Sequence, residues 1–194
     1  MNKLIIDSAT NLLFVGLIKE GKHYIKTRVG KNDNAAYVVN YIKELLSEHN
    51  LTINDINEII TGIGPGSYTG IRVSVVVSKT LAYSLKIPLK QISSLKLLSS
   101  GIKGEVQAVI DARRGYVFAH KHDAGKTIKD DHYVLREQLK EPLYELTVET
   151  VNVDLNIIDS NSELVNDVLL LEPNYLRKTE AENNYDQTSQ NKWY

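Results

Sequence analysis

The chain contains no cysteine. This excludes a disulfide framework, thiolate metal ligation and a cysteine nucleophile, and it fits a reducing compartment, so a cytoplasmic location is expected. Neither sign of charge is in excess: 23 Lys and Arg face 24 Asp and Glu, and the pI is near 6.5. The basic surplus that binding a phosphate backbone normally demands is missing, so any work on nucleic acid would need a partner. Long apolar runs are missing too. Leu4, Ile5 and Ile6 are cut off by Asp7, too short for the hydrophobic region of a signal peptide. The most apolar later stretch, residues 73–85, is broken by Ser74, Ser78, Lys79 and Ser84. It falls short of the roughly 20 apolar residues that span a bilayer, and no membrane is expected.

What is present suits a folded α/β protein. Hydrophobic residues make up 42% of 194 and charged residues 24%, enough for a core, with room for one elongated domain or two compact halves. Residues 4–6, 12–18 and 24–29 are short β-prone runs separated by turn-forming segments and predict an antiparallel meander. Over 35–49, Tyr37, Val38, Tyr41, Ile42, Leu45 and Leu46 recur at spacings of three and four, which predicts a helix capped by Asp33 or Asn34. A strand at 58–61, a glycine-rich loop, a helix at 70–85, a strand at 89–92 and a short helix from Ser94 complete a βββαβα order.

After 101–104 the pattern restarts. An apolar strand at 106–110 ends in Asp111, as the first strand ends in Asp7, and a tight turn leads to a strand at 116–120. The second copy is shorter and less regular: a helix at 135–144, strands at 147–153 and 156–158 and a helix at 162–171 are expected. The predicted organisation is an N-terminal half at 1–103, a smaller C-terminal half at 104–182 and a polar tail at 183–194.

The loop Gly62-Ile63-Gly64-Pro65-Gly66-Ser67-Tyr68-Thr69-Gly70-Ile71-Arg72 is the most distinctive segment. A P-loop needs Lys and then Ser or Thr after its last glycine, and here Ile71 and Arg72 follow Gly70. A dinucleotide fingerprint started at Gly62 meets Ser67 where its third glycine belongs, and a nucleophile elbow at Ser67 would be flanked by Pro65 and Thr69. The remaining reading is a sharp strand-to-helix turn, with Ser67 or Thr69 as cap and Arg72 in the first turn. Of the five histidines, only His120 and His122 can share a face, two apart on a strand. A solvated strand face is expected for them and no metal site, since the sequence places no further ligand to complete a shell.

Two βββαβα halves that each open with strand, Asp and turn resemble the actin, sugar kinase and Hsp70 superfamily, which binds ATP between its halves. The phosphate hairpins of that fold would fall at Asp7, Ser8, Asp111 and Ala112. Close backbone approach to phosphate favours glycine, yet Ser8-Ala9-Thr10 and Ala112-Arg113-Arg114 follow the two aspartates. More specifically, Gly64-Pro65-Gly66-Ser67-Tyr68-Thr69-Gly70-Ile71-Arg72 resembles the loop of the TsaB (YeaZ) family almost letter for letter. Leu4-Ile5-Ile6-Asp7-Ser8-Ala9-Thr10, Asp111-Ala112-Arg113-Arg114 and Glu172-Pro173-Asn174-Tyr175-Leu176-Arg177 match its first hairpin, second hairpin and C-terminal signature in order.

The resemblance implies an actin-like fold and a non-catalytic scaffold or activator in threonylcarbamoylation of the adenosine beside the anticodon of tRNA. Its implied partner is a TsaD-type catalytic subunit, joined by a TsaE-type ATPase, with tRNA met only through the complex and a homodimer in isolation. No cofactor is expected on this chain alone; ATP or ADP would belong at the partner interface. The interface is expected on the first two helices, through Tyr37, Val38, Tyr41, Leu45, Val73 and Val77, for which core packing is the competing role. The stretch Asn34-Ala35-Ala36 departs from the His-Ser-Glu-like start common in the family. The alternative is an ATP-dependent small-molecule kinase of the same superfold, with Asp7 or Asp111 as base or magnesium-associated carboxylate.

Overall fold

The computed structural model describes residues 1–31 and 33–177, so the tail expected at 183–194 lies outside the described residues. The first half begins with the antiparallel meander β1 (Asn2–Asp7), β2 (Leu12–Lys19) and β3 (Lys22–Val29). Helix α1 (Asn34–Glu48) leads to β4 (Glu58–Gly62), which pairs parallel with β1, and α2 (Tyr68–Leu85) leads to β5 (Leu89–Ile92), parallel to β4. A short α3 (Ser94–Leu98) closes the unit. Strand alternation explains how the sheet is covered. Leu4 and Ile6 face α1 and α2 with Val38, Ile42, Leu45 and Val75, while Ile5 faces the opposite side with Phe14, Ile60 and Ile92.

The second half repeats the pattern in reduced form. Strands β6 (Glu105–Asp111), β7 (Tyr116–Asp123) and β8 (Lys126–Leu135) form the meander, and the two-residue β9 (Tyr144–Glu145) pairs parallel with β6, as β4 does with β1. The order β9-β6-β7-β8 thus reproduces β4-β1-β2-β3. One core joins the halves: Ile5 and Phe14 of the first sheet, Leu95 and Leu98 of α3, and Val106, Ala108 and Phe118 of the second sheet pack together.

Beyond Leu135 the structure corrects the expected elements. The helix expected at 135–144 is a 3-10 turn, Arg136–Gln138, followed by extended chain. Leu135, Leu139 and Leu143 have helical spacing, but Pro142 has no N–H to give a helix. Leu139 and Leu143 instead cover Val109, Val117 and Ala119 on the outer face of the second sheet. The strand expected at 147–153 is a hydrogen-bonded turn, with the Val151 N–H on the Thr147 carbonyl at 3.2 Å. The strand expected at 156–158 is helix α4 (Leu155–Asn161), whose N-cap Asp154 accepts the N–H groups of Asn156 and Ile157 at 2.9 and 3.3 Å.

In place of a helix at 162–171 stand β10 (Glu163–Leu164), antiparallel to β5 in the first sheet, and a 3-10 turn, Val168–Leu170. An ion cluster pins this return. Lys3 Nζ lies 2.6 Å from Asp159 on α4 and 3.2 Å from the buried Glu58, and Lys90 Nζ lies 3.3 Å from the same Glu58.

Candidate functional site

The four sequence motifs converge on one cleft between the halves, about 670 Å³ in volume. Its walls come from the β1–β2 turn (Ala9, Thr10, Asn11), the glycine-rich loop (Gly66 to Thr69), the β6–β7 turn (Asp111, Ala112, Arg113), residues 145–149 and residues 174–177.

The loop is shaped by its contact with the first hairpin. Ser67 N–H donates to the Ala9 carbonyl at 2.7 Å, and Ser8 Oγ donates to the Gly70 carbonyl at 2.7 Å. A Cβ at position 66 would stand 2.3 Å from Ala9 O, and one at position 70 would stand 2.0 Å from Ser8 O. Those two glycines let backbone lie on backbone. Ser67 Oγ also accepts the Gly70 N–H at 3.3 Å as the cap of α2. Gly64 is tied to the start of α3, its N–H donating to Ser94 Oγ at 2.9 Å and its carbonyl accepting the Ser94 N–H at 2.8 Å. Arg72, in the first turn of α2, stacks on Tyr68 with its guanidinium 4.1 Å from the ring centroid, and its Nε donates to Tyr175 Oη at 2.7 Å.

Asp7 and Ser8, expected to face a phosphate, do not line the cleft. Both are fully buried under the loop. Asp7 accepts the Ala9 N–H at 2.9 Å and the Ser94 hydroxyl. Burial raises its pKa to about 6, against the lowering effect of those two hydrogen bonds. Asp111 and Ala112 do line the cleft, and Asp111 is exposed, accepting the Arg113 N–H at 3.0 Å. Arg113, Arg114 and Gly115 all have positive φ (67°, 56° and 79°), which turns the β6–β7 hairpin tightly and places Arg113 on the cleft wall.

The proposed helix surface needs a correction. Val38 and Leu45 are 1% and 2% exposed and belong to the core under α1. Tyr41, Val73 and Val77 are half-buried against that core, and Tyr37 is exposed beneath the Arg28 guanidinium, 3.7 Å from its ring centroid. The large apolar side chains exposed on these touching helices are Tyr37, Val39, Tyr68, Val76 and Tyr83, of which Val39, Val76 and Tyr83 are the most exposed. Leu169 and Leu170 are also exposed, on the 3-10 turn that contacts α2.

The histidines also differ from expectation. His120 and His122 are buried, because the face of β7 that carries them lies under α3. His122 Nδ1 accepts the Gly125 N–H at 3.3 Å, so the neutral ring carries its proton on Nε2, 2.7 Å from Ser99 Oγ. Burial, helped by the charge of nearby His120, pushes the His122 pKa down to about 4. His120 Nδ1 meets Asp131 Oδ1 at 2.8 Å. Among the described residues no three His, Asp or Glu side chains converge as a metal shell, and no helix is long and apolar enough to cross a membrane.

Two sheets of equivalent strand order around a cleft entered by two Asp-bearing hairpins define an actin-like α/β protein. Comparisons with known proteins agree. Residues 31–150 match the family model described as TsaD: tRNA N6-adenosine threonylcarbamoyltransferase. The Bacillus subtilis tRNA threonylcarbamoyladenosine biosynthesis protein TsaB is 36% identical over 124 residues, covering 61% of this chain and 53% of that protein. The Escherichia coli TsaB is 28% identical over 123 residues, with the same coverage of 61% and 53%. The chain thus spans about half the length of the curated relatives it matches.

Among solved structures, YeaZ from Pseudomonas aeruginosa superposes with a TM-score of 0.67 at 25% identity, covering 73% of this chain and 70% of that one. An uncharacterized protein with similarity to peptidase YeaZ from Pseudomonas aeruginosa superposes with a TM-score of 0.79 at 21% identity, over 91% of this chain and 99% of that one, and so shares its fold. The chain belongs to the family of the matching model, on its TsaB (YeaZ) branch.

Proposed function

We propose that this chain is an accessory subunit in the formation of threonylcarbamoyladenosine in tRNA, acting in the cytoplasm by binding and supporting a TsaD-type catalytic subunit. The observation that carries this reading is the placement of the family match: residues 31–150 include α1 and α2, on which Val39, Val76 and Tyr83 stand exposed. Apolar side chains grouped on one pair of elements suit a partner better than water. A non-catalytic role is supported by Asp7 and Ser8, whose side chains are spent on Ala9, Ser94 and Gly70. A TsaE-type ATPase would join the pair, tRNA would be met only through the complex, and ATP or ADP would sit at the partner interface. Alone, the same helix face would pair with a second copy of this chain.

Light scattering on size-exclusion fractions of this chain mixed with the TsaD-type protein of the same organism, with and without ATP, tests the reading. A stable heteromer is expected, weakened at least tenfold by Val76→Glu with Tyr83→Glu, and tRNA modification should fall when the subunit is left out. No association under any nucleotide condition would overturn it. That result would favour a small-molecule kinase, for which the exposed Asp111 beside Arg113 in the cleft is the one supporting observation.

A further inference from the structure

After the 3-10 turn the chain has no regular structure through residue 177, yet it is anchored at almost every step. On α2, Lys79 Nζ donates to the carbonyls of Leu169 and Leu171 at 2.8 and 2.7 Å. Asn174 N–H donates to the Ile63 carbonyl at 2.7 Å, and its Nδ2 donates to Asp131 Oδ2 on β8 at 3.0 Å. Tyr175 packs on Tyr68 with centroids 4.9 Å apart and accepts from Arg72. Arg177 Nη1 donates to the Ala112 carbonyl of the second hairpin at 3.2 Å. The segment therefore crosses from the first half to the second along the cleft, and residues 174–177 form one of its walls.

The anchors differ in kind. Leu171 is buried in the core under α1 and α2. The Tyr68–Arg72–Tyr175 contact lies at the surface, with both tyrosines more than a third exposed. Leu176 is partly buried against the core that joins the sheets, but none of residues 172–177 is fully buried, and segments without fully buried side chains open locally, at less free energy than global unfolding. We propose that residues 172–177 are a strap that opens and closes the cleft, hinged near Leu171 and latched by Arg72. Arg72 suits the latch because one planar guanidinium stacks on one ring while donating to the hydroxyl of another. Lysine cannot do both.

Two measurements on the full chain test this. In hydrogen exchange, Arg72→Ala should speed exchange of the Asn174 amide at least tenfold and leave the amides of β1 and β4 unchanged. Tyr175→Phe, which keeps the ring and removes only the hydroxyl, should give a smaller acceleration. Because the chain has no cysteine, Ala112→Cys supplies a single thiol on the cleft wall. Its labelling by a disulfide reagent should be several-fold faster when Arg72→Ala is added. Unchanged exchange at Asn174, equal labelling rates, or an acceleration spread evenly over the strands would overturn the strap.

Discussion

Asp7 and Asp111 each end the first strand of a meander, and each accepts the backbone N–H two residues on, at 2.9 Å from Ala9 and 3.0 Å from Arg113. The turns are alike in this local bond and opposite in environment. The first is roofed by the glycine-rich loop, which buries Asp7 and Ser8 completely; among the described residues the second has no such roof, and Asp111 stands in the cleft. In the second half the segment that would supply a loop and helix is reduced to the turn after β9. The environment of a hairpin is thus decided by what packs on it, and the same Asp serves as a buried brace in one copy and a solvated cleft group in the other.

The strongest test removes the fit of that roof. Gly70→Ala would force a Cβ to within 2.0 Å of a backbone oxygen that cannot step aside. The variant should lose about 3 kcal/mol, the upper part of the overpacking range, read as a lower midpoint in urea unfolding. A stability unchanged within error would mean that the loop does not lie on the hairpin as described.

The next effect is a pH dependence. Asp7 has a folded pKa of about 6 against an ordinary 3.8, so its contribution is favourable at low pH and is lost as pH rises through 6. For His122, with a folded pKa of about 4 against 6.5, the contribution is present above 6.5 and is lost as pH falls toward 4. Each slope is about 1.4 kcal/mol per pH unit, of opposite sign. Between pH 4 and 6 the two cancel. Asp7→Asn removes one of them, so this variant should lose about 2 to 3 kcal/mol of stability from pH 6 to pH 4 while the parent changes by less than about 1. Denaturant titrations at the two pH values decide it, and parallel behaviour of the two proteins would rule out the buried assignment of Asp7.

Much of the first half was legible in sequence because its strands are short apolar runs bounded by turn residues and its helices carry apolar residues at three- and four-residue spacing. The second half was not. Leu135, Leu139 and Leu143 imitate a helix while serving a sheet face, and the cap at Asp154 announces α4 more reliably than the β-prone Ile157 and Ile158 that follow. For the site, the sequence placed only the two hairpins at a cleft, and the structure adds the loop and the C-terminal signature to its walls. Burial was invisible, because nothing local to Asp7-Ser8 says that Gly66 and Gly70 will lie on it. On α1 the centre of the apolar stripe, Val38, is core, and its shoulder, Val39, is exposed.

A smaller effect separates two uses of glycine. Gly115 has a φ of 79°, and a Cβ there would meet nothing within 4 Å, so Gly115→Ala carries only the left-handed backbone penalty. About 1 kcal/mol is expected, a third of the loss at Gly70, and thermal unfolding of the two variants side by side gives the ratio. Comparable losses would show that the β6–β7 turn is covered after all.

The smallest effect belongs to Asp111. An asparagine there keeps the oxygen that accepts the Arg113 N–H, and an exposed position exacts no desolvation that the change could relieve. Asp111→Asn should therefore alter stability by less than about 0.5 kcal/mol. If it instead abolished tRNA modification in the reconstituted system while partner binding persisted, the exposed carboxylate would be doing chemistry, and the cleft rather than the helix face would be the working part of the molecule.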